Sequence, residues 1–514
     1  MKSATFKVLV PAVAAAIALA GCTGAPAPSG SATAAGPVSD TLRINWGSFP
    51  LSWEPGSNAM QPGHFRLPYE TLLNRTHSGE ILPGLATDWE MGEGAMSITL
   101  TLREGVLFHD GEPFNAEAVK TNIEYVTEVV GGQFGGPFAA VLESVEVADD
   151  YTITINFTRP FGTATALLSD QTLPIGSPAA IADGSIATHP VGTSPWAYDP
   201  ERSVEGTSMF FAQFADYWGE LPPFANIEMV AIADDTAATA AVLSGEIDVT
   251  DVEAESLPLV EASPDVAFYE YAALRNAVIF FARGAGQPLE DVRVRQALCY
   301  SLDMEAYGEL DPLIYPGTQH FLEGEPGYNP EITGYPHDLE RAEELLAEAG
   351  NPTVELVFPA APFNKQQVEV YADSFNQLPG VNVTVQELAV PEFVSTWSSG
   401  QFPLGIGSLR QVTPADWYNA WFSPRTPSNP SGAASPELLA LVEAAQQAAP
   451  GPEQNEAWAA VMKQISDEAL ACGHTVAGQA IAYNTTRVTD VMPTEIAAAE
   501  PNLIDYHKVR PVNG

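Results

Sequence analysis

Few of the side chains that do covalent chemistry are grouped in this chain. Its eight histidines are dispersed, with none three or four residues from another. No helix can therefore offer two of them to one metal ion, and a metal or metal chelate is a poor candidate ligand. There is no G-x-S-x-G elbow, H-E-x-x-H, C-x-x-C or complete G-x-G-x-x-G, and no Gly-Lys pair that would allow a Walker loop. His109 stands in a His-Asp-Gly turn, where a structural role is expected. Carboxylates are too abundant for any two of them to mark acid–base catalysis. Glycosidases often lack short motifs, so a secreted hydrolase remains an alternative. What is grouped is aromatic and charged: Trp397, Trp417 and Trp421 share one short stretch with Arg410 and Asp416. A guanidinium such as Arg410 can take a carboxylate by two parallel hydrogen bonds, or it can form a plain surface ion pair. These tryptophans, with Trp46 and Trp196, could pack against peptide side chains or stack on sugar rings, core burial being the alternative for each. This is the chemistry of non-covalent capture. No catalytic residue, cofactor or bound metal is expected.

The beginning of the chain carries a different chemistry. Lys2 and Lys7 precede an apolar run from Val8 to Ala20, and Leu19-Ala20-Gly21-Cys22 follows. A basic start, a short apolar core and small residues before a cut site form an export signal. The run is too short for a bilayer, which needs roughly 20 residues. Residues 23–39 are uncharged Ala, Gly, Pro, Ser, Thr and Val, a flexible spacer. The four residues ending at Cys22 resemble the lipobox of bacterial lipoproteins. The resemblance implies a diacylglyceryl group on the Cys22 thiol and cleavage before it; an ordinary secreted protein with a chance cysteine is the alternative. An acylated chain would be lipid-anchored on the extracytoplasmic face of the cell membrane, at about 0.8 kcal/mol for each buried CH₂. Cys299 and Cys472 could pair in an oxidising compartment. Cys299 lies on a periodic helix, however, and a buried free thiol is the other reading.

The whole chain of 514 residues is longer than one core usually holds, so at least two domains are expected. Its net charge of −44, with 21 basic residues, repels phosphate backbones and excludes a nucleic-acid partner. It also leaves no basic patch to hold anionic lipid.

The elements that must position the candidate residues can be read from periodicity. Thr41-Leu42-Arg43-Ile44-Asn45-Trp46 alternates as a strand and is broken by Gly47-Ser48-Phe49-Pro50. Ser97 to Arg103 and Tyr151 to Phe157 alternate too. Asn115, Asp234 and Asp291 stand where helix caps belong, and Gly245 and Gly350 where helices stop. A strand from Thr353 to Phe358, a helix striped by Val368, Tyr371, Phe375 and Leu378, and a strand at Val381, Val383 and Val385 make a βαβ unit with parallel strands. Ligands of open α/β sheets sit beyond the carboxyl ends of such strands. Leu404 to Arg410 reads as a Gly-punctuated strand, where close backbone approach is allowed. Helices are expected from Pro436 to Ala449 and from Pro452 to Ala471.

Longer stretches carry a family resemblance. Leu85-Ala86-Thr87-Asp88-Trp89 and the run from Leu102 to Val119, centred on Phe108-His109-Asp110-Gly111, are similar to the family 5 extracellular solute-binding proteins. These are the peptide/nickel-type receptors of ABC importers. Pro190 to Trp196, Asp216-Tyr217-Trp218-Gly219, Gly245 to Val249, Asp291 to Leu298 and Leu339 to Gly350 resemble further family segments in the family's order. Trp89 and Trp218 fall within such segments and are expected in the core.

The resemblance implies an α/β fold like that of periplasmic binding proteins. Two lobes joined by a hinge, with a cluster of mixed sheets, would enclose a ligand cleft between them. Residues 1–22 would be the signal and 23–39 the linker. Residues 40–60, 190–272 and 480–514 would form the main part of the first lobe, 61–189 its subdomain and 273–479 the second lobe. Gly47, Ser48 and Phe49 match the ligand-facing segment of the first lobe; Leu409, Arg410 and Gln411 match that of the second. Asp416 matches the aspartate that meets a peptide's α-amino group, although the family's acidic Asp-Pro cluster is here Arg410 to Asp416. The implied function is capture of an oligopeptide or dipeptide by a monomeric lipoprotein and its delivery to an ABC permease with its ATPase. An oligosaccharide or other organic solute is the alternative cargo. A surface adhesin or signalling receptor would instead need a large protein partner.

Overall fold

The computed structural model describes residues 40–57, 62–76, 80–130, 138–170, 173–308, 313–362, 364–389, 392–393, 401–407, 413–424, 426, 429, 431–448, 451–493 and 504–512, without the side chains of 62–63, 271–277 and 477. Cys22, Trp397, Leu409, Arg410 and Gln411 lie outside the described residues.

One nine-stranded mixed sheet runs through the protein. Its strands lie in the order Leu404–Gly407, Val266–Phe281, Ala471–Asn484, Val249–Val252, Thr41–Asn45, Asn226–Val230, Ser208–Gln213 and Trp196–Val204, with Ile314–Pro316 also paired to Ala471–Asn484. Thr41–Asn45 is parallel to both of its neighbours. Alternation decides its faces: Leu42 and Ile44 are buried while Arg43 between them is exposed.

Two strands in this sheet are far longer than the rest. Val266–Phe281 and Ala471–Asn484 pair antiparallel from Val266↔Asn484 to Phe280↔Ala471. The ladder is interrupted between Ala272 and Arg275 and again between Ala277 and Ile279. On one side of the interruptions it packs with Leu42, Trp196, Phe211 and Val249, a core that Ile504 and Val509 of the C-terminal segment complete. On the other side Ile279, Phe281 and Cys472 join a second core built on the helices Val292–Ser301, Leu339–Glu348 and Lys365–Phe375. The protein therefore has two lobes threaded by one pair of strands.

The expected βαβ unit is present, with Val354–Ala360 parallel to Val381–Glu387 and the helix Lys365–Phe375 between them. Helix caps follow the sequence: the side chains of Asn115, Asp234 and Asp291 accept from Ala118, Ala237 and Arg293 backbone N–H groups. A four-stranded antiparallel sheet, Ala86–Met91, Ser97–Leu102, Thr152–Phe157 and Leu142–Asp149, forms the subdomain of the first lobe. The core of that subdomain runs from Leu72 to Ile175. Phe65, Leu67, Tyr69, Ala180 and Ile186 belong instead to the main core of the first lobe. Phe65 packs between Trp53 and Tyr69. His109 is structural, its Nε2 lying 2.9 Å from Ser194 O and its Nδ1 accepting from Gly192 N. Trp89 and Trp218 are half-buried against the subdomain core.

Cys299 and Cys472 form a disulfide, both residues fully enclosed in the core of the second lobe. It ties the helix Val292–Ser301 to the long strand Ala471–Asn484 across 173 residues of sequence. Closing so long a loop removes about 5 kcal/mol of unfolded-state entropy. Replacing both cysteines by alanine should lower the unfolding free energy by a comparable amount, seen as a lower denaturation midpoint. The native protein should show the same drop on adding a reductant in denaturant, and a midpoint indifferent to both changes would show that the link contributes nothing.

Candidate functional site

The first-lobe segment begins where Thr41–Asn45 ends. The Asn45 side chain is buried at the carboxyl end of this strand, beside the ends of both parallel neighbours. Its Oδ1 accepts from Ile232 N at 2.8 Å and from Gly47 N at 3.1 Å. Its Nδ2 donates to Ile232 O at 3.2 Å and to Thr250 Oγ1 at 3.1 Å. One amide thus satisfies four partners and turns the chain out of the sheet. Gly47 follows with φ +73°, a left-handed conformation that glycine adopts without steric cost.

The next residues are held from below. Trp46 is buried, and its indole N–H donates to Tyr506 Oη at 3.1 Å. His64 Nε2 lies 3.0 Å from Ser48 O, and since a carbonyl only accepts, that nitrogen carries the proton. Phe49 is half-buried on the first-lobe core, and Ser48 is exposed. The segment from Trp46 to Phe49 is therefore a fixed strip of backbone, with Ser48 exposed to solvent.

In the second lobe, Asp416 lies in the first turn of the helix Pro414–Trp421. Its backbone N–H donates to the capping Thr413 Oγ1 at 3.1 Å, and that hydroxyl donates to the Asp416 carboxylate at 2.6 Å. The carboxylate remains reachable by solvent, yet the protein around it raises its pKa by desolvation. Thr413 and the Arg75 guanidinium oppose that rise, and Asp170 adds to it. Arg75 and Asp170 belong to the first lobe, and Arg75 in turn feels Asp170, Asp416 and Glu325. Arg75 and Asp170 of the first lobe and Asp416 and Glu325 of the second are thus electrostatically coupled.

The tryptophans divide. Trp196 is enclosed in the first-lobe core, with its indole N–H on Phe224 O. Trp421 is enclosed in the second lobe, stacked on Phe280 with centroids 4.2 Å apart. It also lies so close over Gly407 that a Cβ there would stand 2.6 Å from its ring, the reason this strand carries glycine. Packing against these neighbours removes both residues from the surface of the cleft. Trp417, next to Asp416, stacks on His320 at 4.4 Å and lies 6.3 Å from His474. Its Nε1 and the Nδ1 of His474 are buried, and neither meets a hydrogen-bond partner among the described residues. Burial pushes His474 down to about 4, so its ring is neutral at neutral pH.

Acid–base chemistry has one conspicuous candidate, Glu70, which burial pushes up to about 7. Its oxygens accept from Thr193, Trp218 and Tyr217, so the carboxylate is occupied in holding the subdomain to the first lobe. Among the described residues no group of three or more His, Cys, Asp or Glu could hold a metal ion. Sequence reasoning missed Arg75, Asp170, Glu325, His64 and Tyr506. Each lies far along the chain from the residue it faces, and none sits in a motif that marks it.

The chain matches the family described as bacterial extracellular solute-binding proteins, family 5 middle, over residues 80–429. It is 28% identical over 310 residues to Heme-binding protein A of Haemophilus influenzae (strain ATCC 51907 / DSM 11121 / KW20 / Rd), covering 54% of this chain and 55% of that protein. It spans about half the length of the curated relatives it matches. Among solved structures, HbpA2 from Haemophilus parasuis superposes with a TM-score of 0.79 at 20% identity, over 92% of this chain and 100% of that one. DppA from Helicobacter pylori, an ABC transporter-associated periplasmic binding protein in complex with peptide STSA, gives 0.73 at 18% identity, over 92% and 98%. At these identities the structural likeness concerns the fold.

Replacing Asn45 by alanine would strand Ile232, Gly47 and Thr250 groups inside the protein. The expected loss is at least about 2 kcal/mol in chemical denaturation. An Asn45→Ala protein as stable as the parent would show that the turn into Gly47 is held by other contacts.

Proposed function

Because this chain belongs to the bacterial extracellular solute-binding proteins of family 5, transport receptors that serve ABC importers, we propose that its cargo is a short peptide with a free amino group, gripped between the lobes and released intact. The observation that carries this reading is Asp416: an exposed residue of the second lobe whose carboxylate is coupled to Arg75 and Asp170 of the first. A cationic amine meeting that carboxylate gains a charged hydrogen bond that offsets its desolvation. The backbone strip at Gly47 to Phe49 would pair with an extended main chain, a mode that tolerates varied side chains. Trp46 would support this strip from beneath, and Trp417, buried in the second-lobe core next to Asp416, would back that residue rather than face the ligand. Trp397, Leu409, Arg410 and Gln411 complete the proposed contact set, with Arg410 as partner for a ligand carboxylate. The peptide-bound relative supports the choice of cargo.

The receptor is proposed to work as a monomeric lipoprotein, moored by acyl chains on Cys22 and delivering its ligand to the permease without catalysis. Two experiments test these points. Native mass spectrometry of protein purified from its own host should show a peptide-sized adduct of unaltered mass. With that peptide as titrant, Asp416→Asn should weaken binding tenfold or more, since a buried charged hydrogen bond is worth about 1.5–3 kcal/mol; equal affinity would remove Asp416 from the site. Separately, Cys22→Ser should move the protein from the membrane fraction to the soluble one. Persistence of the variant in the membrane fraction would refute the acyl anchor.

A further inference from the structure

The long ladder is not alone where it passes between the lobes. The short strand Ile314–Pro316 pairs antiparallel with Ala471–Asn484 through Ile314↔Ala477, Tyr315↔Val476 and Pro316↔Thr475. The same three residues of the long strand pair on their other side with Arg275, Asn276 and Ala277, the stretch that lies between the two interruptions. A third strand therefore runs along the part of the ladder that is able to bend. From Ala480 onward the same edge is occupied instead by Val249–Val252 of the first lobe.

The side chains of this segment divide between the lobes. Leu313 is buried with Val252, Leu257, Val260, Val266 and Ala480 of the first lobe. Ile314, the next residue, packs on the core of the second lobe. Tyr315 is 43% exposed, and its hydroxyl donates to Glu270 Oε2 at 3.0 Å. Glu270 lies on the first-lobe side of the interruption that begins after Ala272. The crossing is made over Gly478, whose N–H donates to Leu313 O. A Cβ at Gly478 would stand 2.8 Å from Leu313 O and 3.0 Å from the Tyr315 ring, so only glycine leaves room for the crossing. In this arrangement the lobes also touch elsewhere: a Cβ on Gly162 of the first-lobe subdomain would stand 3.1 Å from Gln454 Nε2 of the second lobe. Parting of the lobes must break that contact. Withdrawing Leu313 would return apolar surface to water, so that end stays in place. A hydrogen bond at the surface exchanges with water at little cost, so the Tyr315 end can open.

We propose that residues 313–316 form a strap across the hinge, anchored in both cores, and that the Tyr315–Glu270 hydrogen bond is its catch, holding the lobes in the closed arrangement. The device rests on the two-lobed fold and on no particular cargo, so its failure would leave the transport reading untouched. Hydrogen exchange on the full chain, without added ligand, tests it. Tyr315→Phe removes the donor and keeps the ring. Exchange at residues 475–478 should quicken about two- to tenfold, the weight of one such hydrogen bond. Exchange at the lobe contact, residues 158–164 and 451–456, should quicken with it, because the lobes part more often. Glu270→Gln keeps an acceptor and should exchange like the parent. Glu270→Ala should match Tyr315→Phe, and the two changes together should add nothing to either alone. Quickening at residues 475–478 alone would reduce the bond to a local contact and overturn the strap, as would exchange unchanged at both places.

Discussion

The two lobes are made inseparable by one antiparallel ladder, the pairing of Val266–Phe281 with Ala471–Asn484. Each strand contributes one end to the first-lobe core and the other to the second-lobe core. Backbone hydrogen bonds are the cheapest way to join two bodies that must also move, because they fix separation and leave twist adjustable. The irregular pairings between Ala272 and Ile279 fall where the ladder passes from one core to the other, and there it can bend. A ligand cleft between lobes follows from this construction.

Electrostatics then decides what such a cleft prefers. The first lobe presents a strip of backbone whose course is set by Asn45, Trp46 and His64. The second presents Asp416 at a helix N-terminus, shared with the field of Arg75, Asp170 and Glu325. In the proposed function, sequence-tolerant main-chain pairing on one side and a charge-selective end on the other would make a receptor selective for a ligand's ends and permissive about its middle.

Much of the fold was legible because its elements are locally consistent. The caps at Asn115, Asp234 and Asp291 and the βαβ unit around Val368 are written in adjacent residues and formed as read. Gly407 was recognisable as a place of close approach, but that Trp421 does the approaching was not. A tryptophan has the same composition in a core as in a cleft, so Trp196, Trp417 and Trp421 could not be assigned to the core before the packing was seen. The pairing of Cys299 with Cys472 was likewise open, since a buried thiol and a buried disulfide share one hydrophobic pattern. Arg75 escaped notice for another reason: its meaning lies in charges brought to it from the other lobe.

The disulfide lies at the second-lobe end of the strand that both lobes share. A sulfur–sulfur bond there clamps that end of the strand to the helix Val292–Ser301, so it cannot peel away when the lobes part. Bending is thereby concentrated in the few irregular residues between the cores, as a leaf spring flexes only beyond its clamp.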